Sequence, residues 1–176
     1  MKTKDMALIG LFAALLTICS WISIPTTIPF TLQTLGVFLA VGLLGGKRGT
    51  IAVLLYLLIG AVGVPVFAGF KGSIGALAGP TGGYLIGFIG TALMMWFCTA
   101  RFGVSTKALI FGMIIGLLVC YCFGTMWFMW IYNRTQGSIS LLGTLSACVF
   151  PFILPDLIKM AVSILLINRL RPVINQ

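Results

Sequence analysis

Long apolar stretches with almost no charge dominate this sequence. Of its 176 residues, 60% are hydrophobic and only 7% are charged, whereas about 25% of the residues in a soluble domain are charged. So few charges cannot cover the surface of a water-soluble domain. The sequence therefore predicts an all-α integral membrane protein, because helices satisfy their own backbone hydrogen bonds in lipid. No stretch stays polar for more than a few residues, which predicts one membrane domain over residues 1–176.

Six apolar segments approach the length of about 20 residues that a spanning helix needs. They cover about residues 6–24, 31–44, 49–62, 82–100, 106–132 and 152–170. The second and third segments are short, so we expect them to be tilted, sunken or extended into the flanking turns. Residues 138–149 are a candidate interfacial helix. The first segment lacks a cleavage site of small residues and is predicted to span rather than to be removed.

Lysine and arginine in the loops predict the orientation of the chain. With a cytoplasmic N-terminus, the basic residues that lie inside are Lys2, Lys4, Lys47, Arg48, Arg101, Lys107, Arg169 and Arg171. Lys71 and Arg134 lie outside, and Lys159 falls within the sixth segment. Both termini are therefore predicted to be cytoplasmic, with the loop of residues 64–80 facing outward. This scatter of basic residues explains the net charge of +9 without a nucleic-acid surface, which needs clustered cations.

The outer loop and the start of the fourth segment are rich in glycine. Seven glycines lie at positions 69, 72, 75, 79, 82, 83 and 87. Glycine lets a backbone approach a ligand closely, so Gly79 and Gly83 are candidate ligand contacts. The loop also contains apolar residues such as Phe67 and Phe70, which favour a packed lid over a polar linker.

The chain has two acidic residues, Asp5 and Asp156. Asp5 is expected to be a solvated helix end. Asp156 lies in the sixth apolar segment, three residues before Lys159 and on the same helix face. A charge at membrane depth costs about 2.5–3.5 kcal/mol, so the pair indicates a ligand site near the outer end of this helix. The alternative is an ion pair that only holds the helix in place. Pro155 predicts that Asp156 lies in the first helical turn, near the positive helix end.

Other polar residues lie at the same outer level. Thr31 and Gln33 begin the second segment, and a glutamine amide can donate and accept hydrogen bonds at once. Tyr84 begins the fourth segment, where the alternative is an aromatic belt at the membrane surface.

The first segment carries small residues at Ala7, Gly10 and Ala14, which allow close approach of another helix, within the bundle or from a partner. There is no histidine, no nucleophile paired with a base and no nucleotide-binding Walker motif. The five cysteines lie in apolar runs and are expected to be packing residues rather than metal ligands.

Four segments resemble a known family. IPFTLQTLGVFLAVGLLGGKRG, LLYLLIGAVGVPVFAGF, GPTGGYLIGF and PDLIKMAV are similar to BioY, the substrate-binding (S) component of energy-coupling factor (ECF) transporters for biotin. The resemblance extends from Ala7 to Leu170 and is weakest over residues 120–146. It implies a fold of six transmembrane helices in the cell membrane with cytoplasmic termini, biotin bound near the outer surface, no cofactor and no catalysis. It also implies a transmembrane coupling (T) subunit and two ABC-type ATPase subunits as partners.

The resemblance implies roles for particular residues. The expected ligand-binding residues are Lys159, Asp156, Gln33, Tyr84, Thr31, Gly83 and Gly79. Lys159 is expected to bind the biotin carboxylate, and Gln33 and Tyr84 the ureido ring. Asp156 is expected either to bind the ureido ring as well, to orient Lys159, or to share a network at the carboxylate end. The face of Ala7, Gly10 and Ala14 is expected to contact the coupling subunit.

Two other classes of function remain open. The chain is then either an S component for another vitamin or a biotin relative, or an ion-coupled carrier or channel in which Asp156 relays protons. A relay usually needs ionisable groups throughout the membrane, whereas the polar residues here gather at one end.

Overall fold

The computed structural model describes residues 2–26 and 28–174, and helices dominate it. Its elements are α1 (Thr3–Trp21), β1 (Ser23–Ile24), β2 (Phe30–Thr31), α2 (Gln33–Leu44), α3 (Gly46–Ala61), α4 (Ile74–Ala78), α5 (Gly82–Phe102), α6 (Thr106–Thr135), α7 (Leu141–Cys148) and α8 (Phe150–Ile174). The two strands form one antiparallel hairpin. Helices lie in all six predicted segments, and α7 occupies the candidate interfacial stretch.

Four regions of the described chain are long and apolar enough to cross a membrane. They are α1, α5, α6 and the stretch Leu141–Pro172, which joins α7 to α8. The helices α2 and α3 have only 12 and 16 residues. Every residue of α2 from Gly36 to Leu44 is buried, and this helix packs against α1, α3, α5 and α8. A short helix that is apolar on all sides therefore lies in the protein core, as expected for a sunken segment.

Glycines allow the helices to approach closely. A Cβ atom at Gly49 of α3 would lie 2.4 Å from the Cα atom of Val41 in α2. Between α5 and α6, a Cβ atom at Gly116 would lie 3.0 Å from the Cα atom of Thr91, and the Thr91 hydroxyl donates to the Gly116 carbonyl at 2.9 Å. These contacts involve backbone atoms, which cannot rotate away from an added methyl group.

The loop after α3 packs against the bundle at its start. Val66 and Phe67 are buried, whereas Phe70 is 66% exposed. The indole N–H of Trp21 at the end of α1 donates to the Pro65 carbonyl at 2.8 Å, and its ring lies 5.2 Å from that of Phe70. The loop is therefore a packed segment with an exposed tip, which fits the predicted lid better than a free linker.

Asp5 is not simply a solvated helix end. Its Oδ1 atom lies 2.6 Å from Nη1 of Arg48, so the pair joins the first turn of α1 to the first turn of α3. Its helix-end position is as expected, since its carboxylate also accepts from the Lys2 backbone N–H at 3.3 Å. The expectation missed the ion pair because Arg48 lies 43 residues away in the sequence. A pattern of neighbouring residues does not reveal such a contact.

We expect Gly49→Ala to lower the melting temperature of the purified protein in detergent, because the added methyl group meets the backbone of α2. Overpacking of this kind typically costs about 1–3 kcal/mol. Gly10→Ala is the matched control, since a Cβ atom there meets no atom within 4 Å, and it should leave the melting temperature unchanged. Equal effects of the two substitutions would contradict the close contact between α2 and α3.

Candidate ligand-binding site

A buried ion pair lies on the inner face of α8. Asp156 is 2% exposed and Lys159 is 7% exposed, and Nζ of Lys159 donates to Oδ1 of Asp156 at 2.8 Å. A spacing of three residues places both side chains on one helix face. That face is turned towards the protein, so the pair does not meet lipid.

Three further elements complete the surroundings of the pair. The Thr34 hydroxyl of α2 donates to Oδ1 of Asp156 at 2.8 Å, and the Tyr121 hydroxyl of α6 donates to Oδ2. Nζ of Lys159 lies 4.8 Å from the centre of the Phe30 ring in β2, within the range of a cation–π interaction. A buried carboxylate with one cation and two hydroxyl donors is well compensated for its lost hydration.

A cavity of about 180 Å³ opens beside this pair. Its wall comes from the β1–β2 hairpin, the loop after α3, and helices α2, α4, α5, α6, α7 and α8. Among the residues predicted to bind a ligand, those that line the cavity are Thr31, Gln33, Tyr84, Asp156 and Lys159. The structure thus brings together side chains that are up to 128 positions apart in the sequence.

Gln33 belongs to a second hydrogen-bond network, which does not include the ion pair. Its amide nitrogen Nε2 donates to the Tyr56 hydroxyl at 2.7 Å, and its oxygen Oε1 accepts from the Thr31 hydroxyl at 2.9 Å. Tyr56 in turn donates to the Val66 carbonyl at 3.2 Å. The network connects the start of α2 to α3 and to the outer loop.

Tyr84 lies in the cavity wall rather than in a surface belt. It is 8% exposed, and its hydroxyl lies 3.2 Å from the Thr125 hydroxyl of α6. The cavity therefore has a neutral polar group on its α5 side.

Lys71 is the second cation in the cavity lining. It lies on the outer loop and is exposed, so the cavity extends from the buried pair to the protein surface at this point. Within residues 2–26 and 28–174, both acidic side chains are paired elsewhere, Asp5 with Arg48 and Asp156 with Lys159. No carboxylate in this described part of the chain neutralises Lys71.

Gly79 and Gly83 lie outside the cavity lining. The Gly79 carbonyl accepts from the Trp127 indole at 2.9 Å. A Cβ atom at Gly83 would lie 2.3 Å from Cβ of Trp127. Gly83 thus allows α6 to pack against the start of α5, and the Gly79 carbonyl holds the Trp127 indole of α6 in place.

The expectation from Pro155 was wrong. Helix α8 begins at Phe150, and Pro155 lies inside it. Asp156 is therefore in the second helical turn, where the free N–H groups of the helix start do not reach it. The lost hydration of the Asp156 carboxylate is instead compensated by Lys159, Thr34 and Tyr121.

The small residues of α1 lie on an exposed face. Ala7, Gly10 and Ala14 are all exposed. This observation excludes close packing of that face against another helix in the described part of the chain.

Sequence reasoning missed Thr34, Tyr121, Phe30 and Lys71. Thr34 adjoins Gln33, and a helical step of about 100° turns it towards α8 while Gln33 faces α3. Tyr121 is a hydroxyl in the middle of the apolar helix α6, and that position was the available signal. Lys71 was counted for topology only, although it is the one cation within the glycine-rich loop.

The arrangement suits binding rather than bond cleavage. Its polar groups are one compensated ion pair, hydroxyls, an amide and an exposed cation. The residues that the structure describes contain no group of three or more side chains arranged to hold a metal ion. Cys120 and Cys148 of the cavity wall are buried, and the Cys120 thiol donates to the Tyr84 carbonyl at 3.6 Å.

Comparison with known proteins adds independent information. The family model described as "BioY family" matches residues 1–176. The probable biotin transporter BioY of Pyrococcus horikoshii is 39% identical over 172 residues, which are 97% of this chain and 98% of that protein. The biotin transporter BioY of Thermotoga maritima is 40% identical over 163 residues, 92% of each chain.

A solved structure has the same fold. It is the S-component for biotin from an ECF-type ABC transporter, determined at 2.1 Å. It matches with a TM-score of 0.86 and 27% identity, over 98% of this chain and 95% of that chain.

We expect Asp156→Ala to destabilise the ligand-free protein, because it leaves the Lys159 ammonium buried without its partner. Loss of one member of a buried pair costs about 3–5 kcal/mol. Asp5→Ala, which removes the other acid of the chain, is the matched control and should have a much smaller effect, since its pair with Arg48 is partly exposed. Melting temperatures in detergent measure the difference. A combined Asp156→Leu and Lys159→Met variant should regain stability, and a further loss in that variant would contradict the explanation.

Proposed function

This chain belongs to the BioY family, a family of transporter components rather than enzymes, and from that premise we propose that it is the biotin-binding S component of an ECF-type ABC transporter that takes up biotin. The observation that carries the proposal is the cavity that reaches the surface at Lys71 and ends on the buried Asp156–Lys159 pair. Biotin has an apolar ring and chain between two polar ends, and this cavity has apolar walls between two polar regions.

We propose an orientation for biotin in which its ureido ring meets the buried pair. That end of the cavity is neutral overall, and Asp156 would repel a second carboxylate. A ureido group instead offers N–H donors to Asp156 and a carbonyl acceptor to the remaining N–H groups of Lys159. The biotin carboxylate then lies towards Lys71, whose charge has no acidic partner in the described part of the chain. This orientation replaces the assignment of the carboxylate to Lys159.

The proposed setting is the cell membrane, with six helices in the membrane and cytoplasmic termini. The bias of basic residues between the two sides supports this topology. The proposed partners are a transmembrane coupling subunit and two ATPase subunits. The ATPase subunits would supply the energy for transport, because this chain has no nucleotide-binding motif of its own. The exposed face of Ala7, Gly10 and Ala14 on α1 is the proposed contact with the coupling subunit, because small residues let a partner helix approach closely.

Purified protein should bind biotin and be stabilised against heat by it, in preference to other vitamins in a panel. Lys159→Ala should raise the dissociation constant for biotin at least about 30-fold, because it leaves Asp156 buried and unpaired. Lys107→Ala, an exposed lysine outside the cavity lining, is the control and should bind normally. Preference for a different vitamin would show an S component with another ligand, and ion flux into vesicles without biotin would favour a channel or carrier.

The orientation can be tested with biotin and its methyl ester. Lys71→Gln should weaken binding of biotin about tenfold, through loss of a charge-assisted hydrogen bond, and should leave binding of the uncharged ester unchanged. Lys159→Met should weaken binding of both compounds. Isothermal titration measures the four affinities. If Lys159→Met weakened binding of biotin alone and Lys71→Gln had no effect, the carboxylate would lie at the buried pair.

A further inference from the structure

Tyr56 is a buried residue next to the cavity that does not line it. It lies in α3, is 1% exposed and is absent from the cavity wall, whereas Gln33 lines the cavity. The two side chains are joined by the 2.7 Å hydrogen bond from Nε2 of Gln33 to the Tyr56 hydroxyl. The Tyr56 hydroxyl therefore reaches the cavity through Gln33, while its ring reaches it through Phe67, which also lines the cavity.

The direction of this hydrogen bond follows from a backbone carbonyl. The Val66 carbonyl accepts from Tyr56 at 3.2 Å and from the Ser20 hydroxyl at 2.5 Å. A carbonyl only accepts, so the single hydroxyl proton of Tyr56 is committed to Val66. The Tyr56 oxygen is then left as an acceptor towards Gln33. Gln33 must turn its NH₂ group, and not its carbonyl oxygen, towards Tyr56.

Thr31 fixes the other end of the same amide. Its hydroxyl donates to Oε1 of Gln33 at 2.9 Å and accepts from the Gln33 backbone N–H at 3.2 Å. A primary amide has two N–H donors and two acceptor lone pairs. Tyr56 occupies one N–H donor of Gln33, and Thr31 occupies one lone pair of its oxygen. One N–H and one lone pair remain for a ligand, and the network determines which of them points to which side of the cavity.

The ring of Tyr56 is itself held in place. Phe67 packs against it edge-on, with ring centres 5.5 Å apart and an interplanar angle of 82°. Gly60 makes room for Phe67, because a Cβ atom there would lie 2.0 Å from Cζ of Phe67. The Tyr56 hydroxyl is therefore held in a fixed position, from which it can orient the Gln33 amide.

We propose that Tyr56 is a positioning residue for ligand binding, which holds the Gln33 amide in one of its two flipped orientations and so sets the donor and acceptor that the cavity offers to a polar ligand group. The proposal rests on the proposed binding of biotin at this cavity. Without the Tyr56 hydroxyl, the amide is free to rotate, and part of the population presents the donor and acceptor in the wrong order.

Tyr56→Phe is the direct test, because it keeps the ring and its contact with Phe67. We expect the dissociation constant for biotin to rise about threefold to tenfold, the range for one lost hydrogen bond. In a Gln33→Leu background, the same substitution should change the affinity by less than about twofold, since no amide remains to be oriented. Tyr132→Phe, a half-buried tyrosine outside the cavity wall, should leave biotin affinity unchanged.

The double-mutant comparison separates positioning from a general structural role. Equal losses of affinity from Tyr56→Phe with and without Gln33 would overturn the proposal, and so would no loss in either case. Thr31→Val is a second variant that releases the amide from its other side and should show the same dependence on Gln33. If Tyr56→Phe does not fold, the Thr31→Val comparison tests the positioning of the Gln33 amide in its place.

A measurement without ligand distinguishes this proposal from the proposed function. The chain contains three glutamines, Gln33, Gln136 and Gln176, so the side-chain amide signals of protein labelled with ¹⁵N-glutamine can be assigned by the Gln33→Leu variant. Tyr56→Phe should shift and broaden the Gln33 signal, and Tyr132→Phe should not. An unchanged Gln33 signal in Tyr56→Phe would overturn the positioning role. Failure of the wild-type protein to bind biotin would overturn only the proposed function.

Discussion

The compensation of the Asp156 carboxylate is the constraint on which the cavity depends. A charge at this depth is tolerated only when the protein replaces its lost hydration, and here a cation and two hydroxyls do so. These donors come from α8, α2 and α6, so the same requirement that neutralises the carboxylate also draws three helices to one point. The space that remains between them is the cavity. One ion pair thereby sets both the packing of the helices and the position of the candidate site.

The opposite side of the cavity is organised by an uncharged group, the Val66 carbonyl. It collects donors from α1 and α3, and through Tyr56 it reaches Gln33 on α2. The outer loop is therefore fastened to the bundle at the residue just before Phe67, which lines the cavity. The cavity wall thus has one polar region built on an ion pair and another, around Gln33, that is oriented by a backbone carbonyl. A ligand with chemically different ends can be held in one direction by such an arrangement.

Sequence patterns revealed those site residues that are unusual in a membrane. Asp156 and Lys159 stand out because charge is expensive there, and Gln33 stands out as an amide in an apolar run. Thr34 and Tyr121 do not stand out in the sequence, because single hydroxyls are common in membrane helices. Only the fold shows that both hydroxyls point at Asp156. Pro155 misled for a physical reason: proline favours the first turn of a helix, yet membrane helices tolerate it further along. The exposed face of Ala7 and Gly10 was predicted as a contact surface, but only the structure shows that the bundle itself leaves it open.

Charge balance connects the geometry to transport. The chain has two acids, and each is paired with a cation in the structure, so within residues 2–26 and 28–174 no carboxylate compensates the charge of Lys71 in the cavity lining. In the proposed orientation the ligand carboxylate neutralises it, so the loaded cavity has no net charge while the empty one carries one positive charge. Moving an unbalanced charge through lipid costs several kcal/mol, and a neutral assembly avoids most of that cost. In the proposed orientation, the loaded cavity is therefore the form that costs less to bury in lipid than the empty one.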